Sequence, residues 1–128
     1  MLSTKAILIA FTLVAVSSAA PAKPAPLASP TITVCTEVNP TNGCVTLPVV
    51  SDSCINLTGG LSFLNKAISD ATVPDGFICT FFQDFGCLST GGDVAVLQSG
   101  TYNMFDVVGI SGTENFNDLT SSHTCSPL

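Results

Sequence analysis

Two stretches decide the fold: Phe77-Ile78-Cys79-Thr80-Phe81-Phe82-Gln83-Asp84-Phe85-Gly86-Cys87, and before it Thr33-Val34-Cys35-Thr36-Glu37-Val38-Asn39-Pro40-Thr41-Asn42-Gly43-Cys44. Each runs from Cys-Thr through a turn to Gly-Cys, which indicates an internal duplication at a period of roughly 45 residues. Working outward, Ile55-Asn56-Leu57 parallels Tyr102-Asn103-Met104, and Asn65-Lys66-Ala67-Ile68-Ser69 parallels Asn117-Asp118-Leu119-Thr120-Ser121, with Val73 falling opposite Cys125.

β-branched and aromatic residues dominate Thr31 to Val34, Val45 to Val50, Phe77 to Phe82 and Val94 to Leu97, and Gly, Asn, Pro and Asp separate these runs. That is the punctuation of short strands and turns. Only Leu61 to Ser69 has a helical spacing, through Leu61, Leu64 and Ile68, and it is too short to persist without packing. Evenly spaced antiparallel strands predict an all-β sandwich or barrel.

The first residues combine one lysine, an apolar run from Ala6 to Val16 and small residues up to Ala20, the three regions of a cleaved export signal, with cleavage expected after Ala19. Residues 20–30 are a Pro/Ala-rich linker or pro-segment, and 31–128 form one domain, with a first motif at about 31–74 and a second at about 75–128. No later window is apolar enough to span a bilayer, so no membrane insertion is expected, and a secreted, extracellular monomer is. Without Lys5 the chain sets Lys23 and Lys66 against nine carboxylates, a net −7, and has no arginine. Nothing is available to neutralise phosphates, so nucleic acid is excluded as a natural partner, and anionic membranes are disfavoured.

All six cysteines fall within 31–128. An even count in a small exported domain predicts three disulfides, though the residues alone leave fifteen pairings open. Zinc fits poorly, since no Cys-x2-Cys pair occurs and His123 is the only histidine.

Three segments resemble the double Greek key of the βγ-crystallins, and more closely the small secreted fungal proteins similar to it. They are the aromatic hairpin Phe81-Phe82-Gln83-Asp84-Phe85-Gly86, the run Gly100-Thr101-Tyr102-Asn103-Met104, and Asn117-Asp118-Leu119-Thr120-Ser121-Ser122, which is similar to that family's calcium pattern. The first copy departs from it: Thr36 and Thr41 stand where aromatics are usual, and Lys66 and Asp70 replace an acid or amide and a serine. The resemblance implies two Greek-key motifs in one antiparallel β-sandwich with the third strand of each copy crossing to the other's sheet. It also implies disulfides Cys35–Cys44, Cys79–Cys87 and Cys54–Cys125, the last closing the longest loop and mattering most to stability. For calcium it implies Asp118, Ser121 and the Leu119 carbonyl beside Asn117 in one copy. Asn65, Ser69 and the Ala67 carbonyl are the counterparts, with carbonyls near Glu37 and Phe82 completing the shells. Lys66 removes one ligand and adds repulsion, so one weak site is the most expected, and no cofactor is required.

Catalysis finds little support. His123 is the only imidazole, expected to be solvent-exposed near the chain end, and adjacent Ser121 and Ser122 lack a Gly-x-Ser-x-Gly elbow. Asp84 with Asp93 or Asp106 could serve a glycosidase, but acidic loop residues are common in so anionic a chain. Asn56-Leu57-Thr58 is a glycan acceptor sequon, and Phe81, Phe82 and Phe85 are candidates for a binding patch. The expected role is a non-enzymatic secreted binding protein, effector-like or toxin-like, acting on an extracellular protein or cell-wall component. The alternatives are an extracellular or wall-associated stability protein, and a protease inhibitor presenting Ser89 to Gly92.

Overall fold

Strand β1 (Thr31–Cys35) shows how the sandwich forms: Ile32 and Val34 are fully buried, while Thr31 is exposed and Thr33 half-buried. Period-two alternation of this kind buries one face of a sheet. The computed structural model describes residues 30–38, 43–110 and 112–128. The predicted export signal and most of the linker lie outside the described residues, among which no helix is long and apolar enough to cross a membrane.

The elements that follow are β2 (Cys44–Pro48), β3 (Ile55–Asn56), a 3-10 helix (Gly59–Leu64), β4 (Asp70–Val73), β5 (Phe77–Phe82), β6 (Val94–Leu97), β7 (Gly100–Asn103), β8 (Val107–Gly109), β9 (Gly112–Glu114) and β10 (Ser122–Pro127). The short helix lies at the start of the segment whose spacing suggested one. The strands form two antiparallel sheets, ordered β2-β1-β4-β7 and β3-β10-β5-β6-β8-β9. The third strand of each motif has changed sheets: β3 pairs with β10, and β7 with β4. This is the exchange that the resemblance implied. Between the sheets lie Ile32, Val34, Leu57, Leu64, Ile68, Phe81, Leu97, Met104 and Phe116, all at most 1% exposed.

Backbone hydrogen bonds relate the two motifs by an approximate two-fold. Ser69 N–H donates to the Cys35 carbonyl at 2.8 Å, as Ser121 N–H does to Phe82 at 2.9 Å; Leu57 N–H donates to Ser121 and Met104 N–H to Ser69, both at 2.9 Å. Cys35 is therefore the counterpart of Phe82, not of Cys79. The turn after β1 spans residues 36–43 and the connection after β5 spans 83–93, which is longer by three. The repeated Cys-Thr…Gly-Cys pattern is thus out of structural register by three residues.

That slip accounts for one disulfide. Cys35 and Cys44 are cross-strand partners, 4.0 Å apart at Cα, and are joined. The expected Cys79–Cys87 bridge does not form. Cys79 faces Leu97 across β5 and β6, leaving Cys87 in the connection beyond the strand tip. Cys79 instead stands directly opposite Cys125 on β10 and is bonded to it. Nor does Cys54–Cys125 form. Although β3 does lie beside β10, Cys54 is exposed while Cys125 faces the core, so Cys54 joins Cys87.

Peptide mapping without reduction should recover Cys54–Cys87 and Cys79–Cys125. Sequence separations of 46 for Cys79–Cys125 and 9 for Cys35–Cys44 set the chain-entropy loss at about 4 and about 3 kcal/mol. A Cys79→Ser/Cys125→Ser double variant should therefore lose more stability in urea than Cys35→Ser/Cys44→Ser, the more so because its serines would be buried.

Candidate cation site

Two five-residue turns, Asn65–Ser69 and Asn117–Ser121, meet across the two-fold. Lys66 N–H donates to the Thr120 carbonyl at 2.8 Å and Asp118 N–H to Ile68 at 3.1 Å; within the turns, Ala67 N–H reaches Leu64 at 3.0 Å and Leu119 N–H reaches Phe116 at 3.3 Å. Lys66 and Asp118 adopt left-handed backbone with φ of 58° and 57°. Asp tolerates that conformation in turns, whereas a lysine there carries a penalty of about 1 kcal/mol.

The side chains at these matched positions carry opposite charge. Lys66 Nζ donates to the Leu119 carbonyl at 2.7 Å and also to the Gln83 carbonyl. Across the two-fold, Asp118 replaces the ammonium, Ala67 corresponds to Leu119, and Thr36, following Cys35, corresponds to Gln83. Ser69 Oγ donates to Asp118 Oδ1 at 3.5 Å. All six residues predicted as ligands, Asn65, Ser69, Asn117, Asp118, Leu119 and Ser121, lie in these facing turns, but they do not form one shell. Leu119 offers its carbonyl to Lys66, while Asp118 and Ser69 sit together at the other position. Ser121 is buried, and the amide oxygens of Asn65 and Asn117 are buried without a hydrogen-bond partner.

Sequence reasoning missed Gln83. The Phe82 carbonyl is taken by Ser121 N–H, so the next carbonyl along the hairpin is the one presented to the turn. A calcium ion takes six to eight oxygens. Where Lys66 stands, the residues do not fit a metal, because ammonium protons already reach the carbonyls. Around Asp118 the donors are a carboxylate and a hydroxyl, hard oxygens that do fit one. Among the described residues no cluster of three or more His, Cys, Asp or Glu could hold a metal, so carbonyl and hydroxyl oxygens would have to supply most of a shell.

Contrary to expectation, His123 is not exposed. It is 3% accessible, stacked on Phe81 with ring centroids 5.6 Å apart, and its Nδ1 has no hydrogen-bond partner. Burial pushes its pKa down to about 4. A base needs access to the proton it removes, which this ring lacks. The Ser122 hydroxyl donates to the Asp84 carbonyl at 2.5 Å and accepts Cys87 N–H at 2.9 Å. The Thr90 hydroxyl and Thr90 N–H both bond to the Asp84 carboxylate and, with a smaller contribution from Lys66, hold it below its usual pKa. That is the opposite of what a glycosidase acid requires. Asn56 sits exposed on β3, its Oδ1 accepting Gly86 N–H at 2.7 Å. Of the three aromatics, Phe81 belongs to the core, Phe82 is half-buried and Phe85 is exposed.

Two Greek keys that exchange third strands define a βγ-crystallin-like fold. A solved βγ-crystallin domain from a study of how the eye-lens fold evolved is similar to this chain, with a TM-score of 0.59 and 16% identity over 78% of this chain and 88% of that one. A βγ-crystallin domain from Flavobacterium johnsoniae is similar at TM-score 0.55 and 22% identity, covering 75% and 93%, and the N-terminal domain of protein S at 0.55 and 20%, covering 77% and 97%. No protein-family model and no curated protein matches the sequence.

With a folded pKa near 4 against an unfolded value of about 6.5, the unfolded chain binds more protons at His123 across that window. The stabilisation is complete above pH 6.5 and is lost as pH falls toward 4, by about 3 kcal/mol from this group. A His123→Phe variant should show a flatter pH dependence of its urea midpoint between pH 6.5 and 4 than the wild type.

Proposed function

We propose that this chain is an exported, non-enzymatic binding protein of effector-like or toxin-like character, which recognises an extracellular protein or cell-wall component through an apolar cleft. The observation that carries this reading is an open cleft of about 310 Å3 lined by Val96, Gln98, Tyr102 and Val108, between β6 and β8 of one sheet and β7 of the other. Phe105 and Ile110, on the turns either side of β8, are 47% and 71% exposed, and Val108 between them is 59% exposed. Val96, Tyr102 and Val108 around a concavity with the Gln98 amide are the usual composition of a recognition surface. Three disulfides among the described residues are consistent with an extracellular protein.

Labelled protein should co-sediment with washed cell walls or with cells bearing its target. A Val108→Asp/Ile110→Asp variant with an unchanged melting temperature should bind at least tenfold less; equal binding by the two proteins would overturn the cleft as the recognition surface.

The same reading includes one weak calcium position at Asp118, supported by the neighbouring Ser69 hydroxyl. Calorimetric titration of the oxidised mature chain should give at most one calcium, with a dissociation constant on the order of 10⁻⁴–10⁻³ M, as in extracellular modules. Asp118→Ala should abolish it.

A further inference from the structure

We propose that the Lys66 ammonium is a tethered cation filling one of the two symmetry-related positions from within, where it clamps the second motif's hairpin at Gln83 to its closing turn at Leu119. This stands independently of the binding role proposed above.

Three observations converge on it. First, one Nζ reaches two backbone carbonyls that belong to different loops of the opposite motif, Gln83 before β6 and Leu119 before β10. An ammonium has three donors and no acceptor, so converging carbonyl oxygens are its natural partners. Second, the counterpart of Lys66 is Asp118, with the same left-handed φ and the same reciprocal backbone bond across the two-fold. The Asp118 carboxylate, with the Ser69 hydroxyl beside it, can accept a free cation, whereas an ammonium brings that charge itself. One position is therefore closed to free cations and the other open to them. Third, Lys66 is the only lysine or arginine in residues 31–128, among nine carboxylates. With so many acids available, this lone cation is nonetheless directed to neutral carbonyls, and its charge reaches Asp84 on the same hairpin.

Hydrogen bonds to a charged donor are stronger than neutral ones, and the clamp joins segments that lie far apart in the chain. Its loss should loosen the start of the connection between β5 and β6 at Gln83, while Cys54–Cys87, the Ser122 hydroxyl and the Asp84–Thr90 bonds still hold the rest of that loop.

The test compares thermal melts and calcium calorimetry of the oxidised mature protein as wild type, Lys66→Met and Lys66→Asp, each in EDTA and in millimolar calcium chloride. Lys66→Met keeps the aliphatic stem and deletes the charge. It should melt lower by on the order of 5–10 °C, with no recovery in calcium. Lys66→Asp makes the two positions alike. It should melt lower in EDTA, recover in calcium, and bind one more calcium per chain than wild type. A Lys66→Met melt within about 2 °C of wild type would overturn the clamp. A Lys66→Asp protein that folds but binds no additional calcium would overturn the assignment of this position as a cation site.

Discussion

The structure depends on the reciprocal docking of two turns. Lys66 N–H on Thr120 and Asp118 N–H on Ile68 tie the motifs to each other, each turn donating to a carbonyl of the other. Main-chain N–H groups need acceptors, and each turn finds one on the other. From this contact the rest follows. Ser69 and Ser121 start β4 and β10 against β1 and β5, and their carbonyls receive Met104 and Leu57, which delivers the third strand of each motif to the opposite sheet.

Chemistry specific to this chain lies where the two halves differ. Where the first motif places Ile32 and Val73 on neighbouring strands, the second has Cys79 and Cys125 joined by a disulfide, so one half replaces apolar packing with a covalent link at a matched position. Lys66 and Asp118 form the second such contrast, and buried Asp70 against Ser122 the third. Burial raises the pKa of Asp70, whereas the Ser122 hydroxyl braces the Asp84 turn. The connection after β5 is also longer, and Cys54 crosses to reach it at Cys87, tying the first motif's third strand to the second motif's hairpin.

The pattern of residues was most informative where it reflects period and punctuation. The runs at 31–34, 77–82 and 94–97 coincide with β1, β5 and β6, and the parallels of Ile55-Asn56-Leu57 with Tyr102-Asn103-Met104 and of Asn65–Ser69 with Asn117–Ser121 are true structural equivalences. It misled where identity of residue type stood in for position. Matching Cys35 to Cys79 placed the second hairpin three residues out of register, because cysteine and glycine recur around turns of any length.

By itself, the sequence determined an all-β duplicated domain, the positions of β1, β5 and β6 and the turns that hold the candidate ligands, because alternation and turn chemistry are local properties. Tertiary structure alone decided which cysteines meet, that His123 is buried against Phe81, and that the Lys66 ammonium lies on carbonyls of the other motif. Those outcomes depend on loop length and on which face of a strand a residue occupies after the third strands exchange, and neither is set by residues close together in the chain.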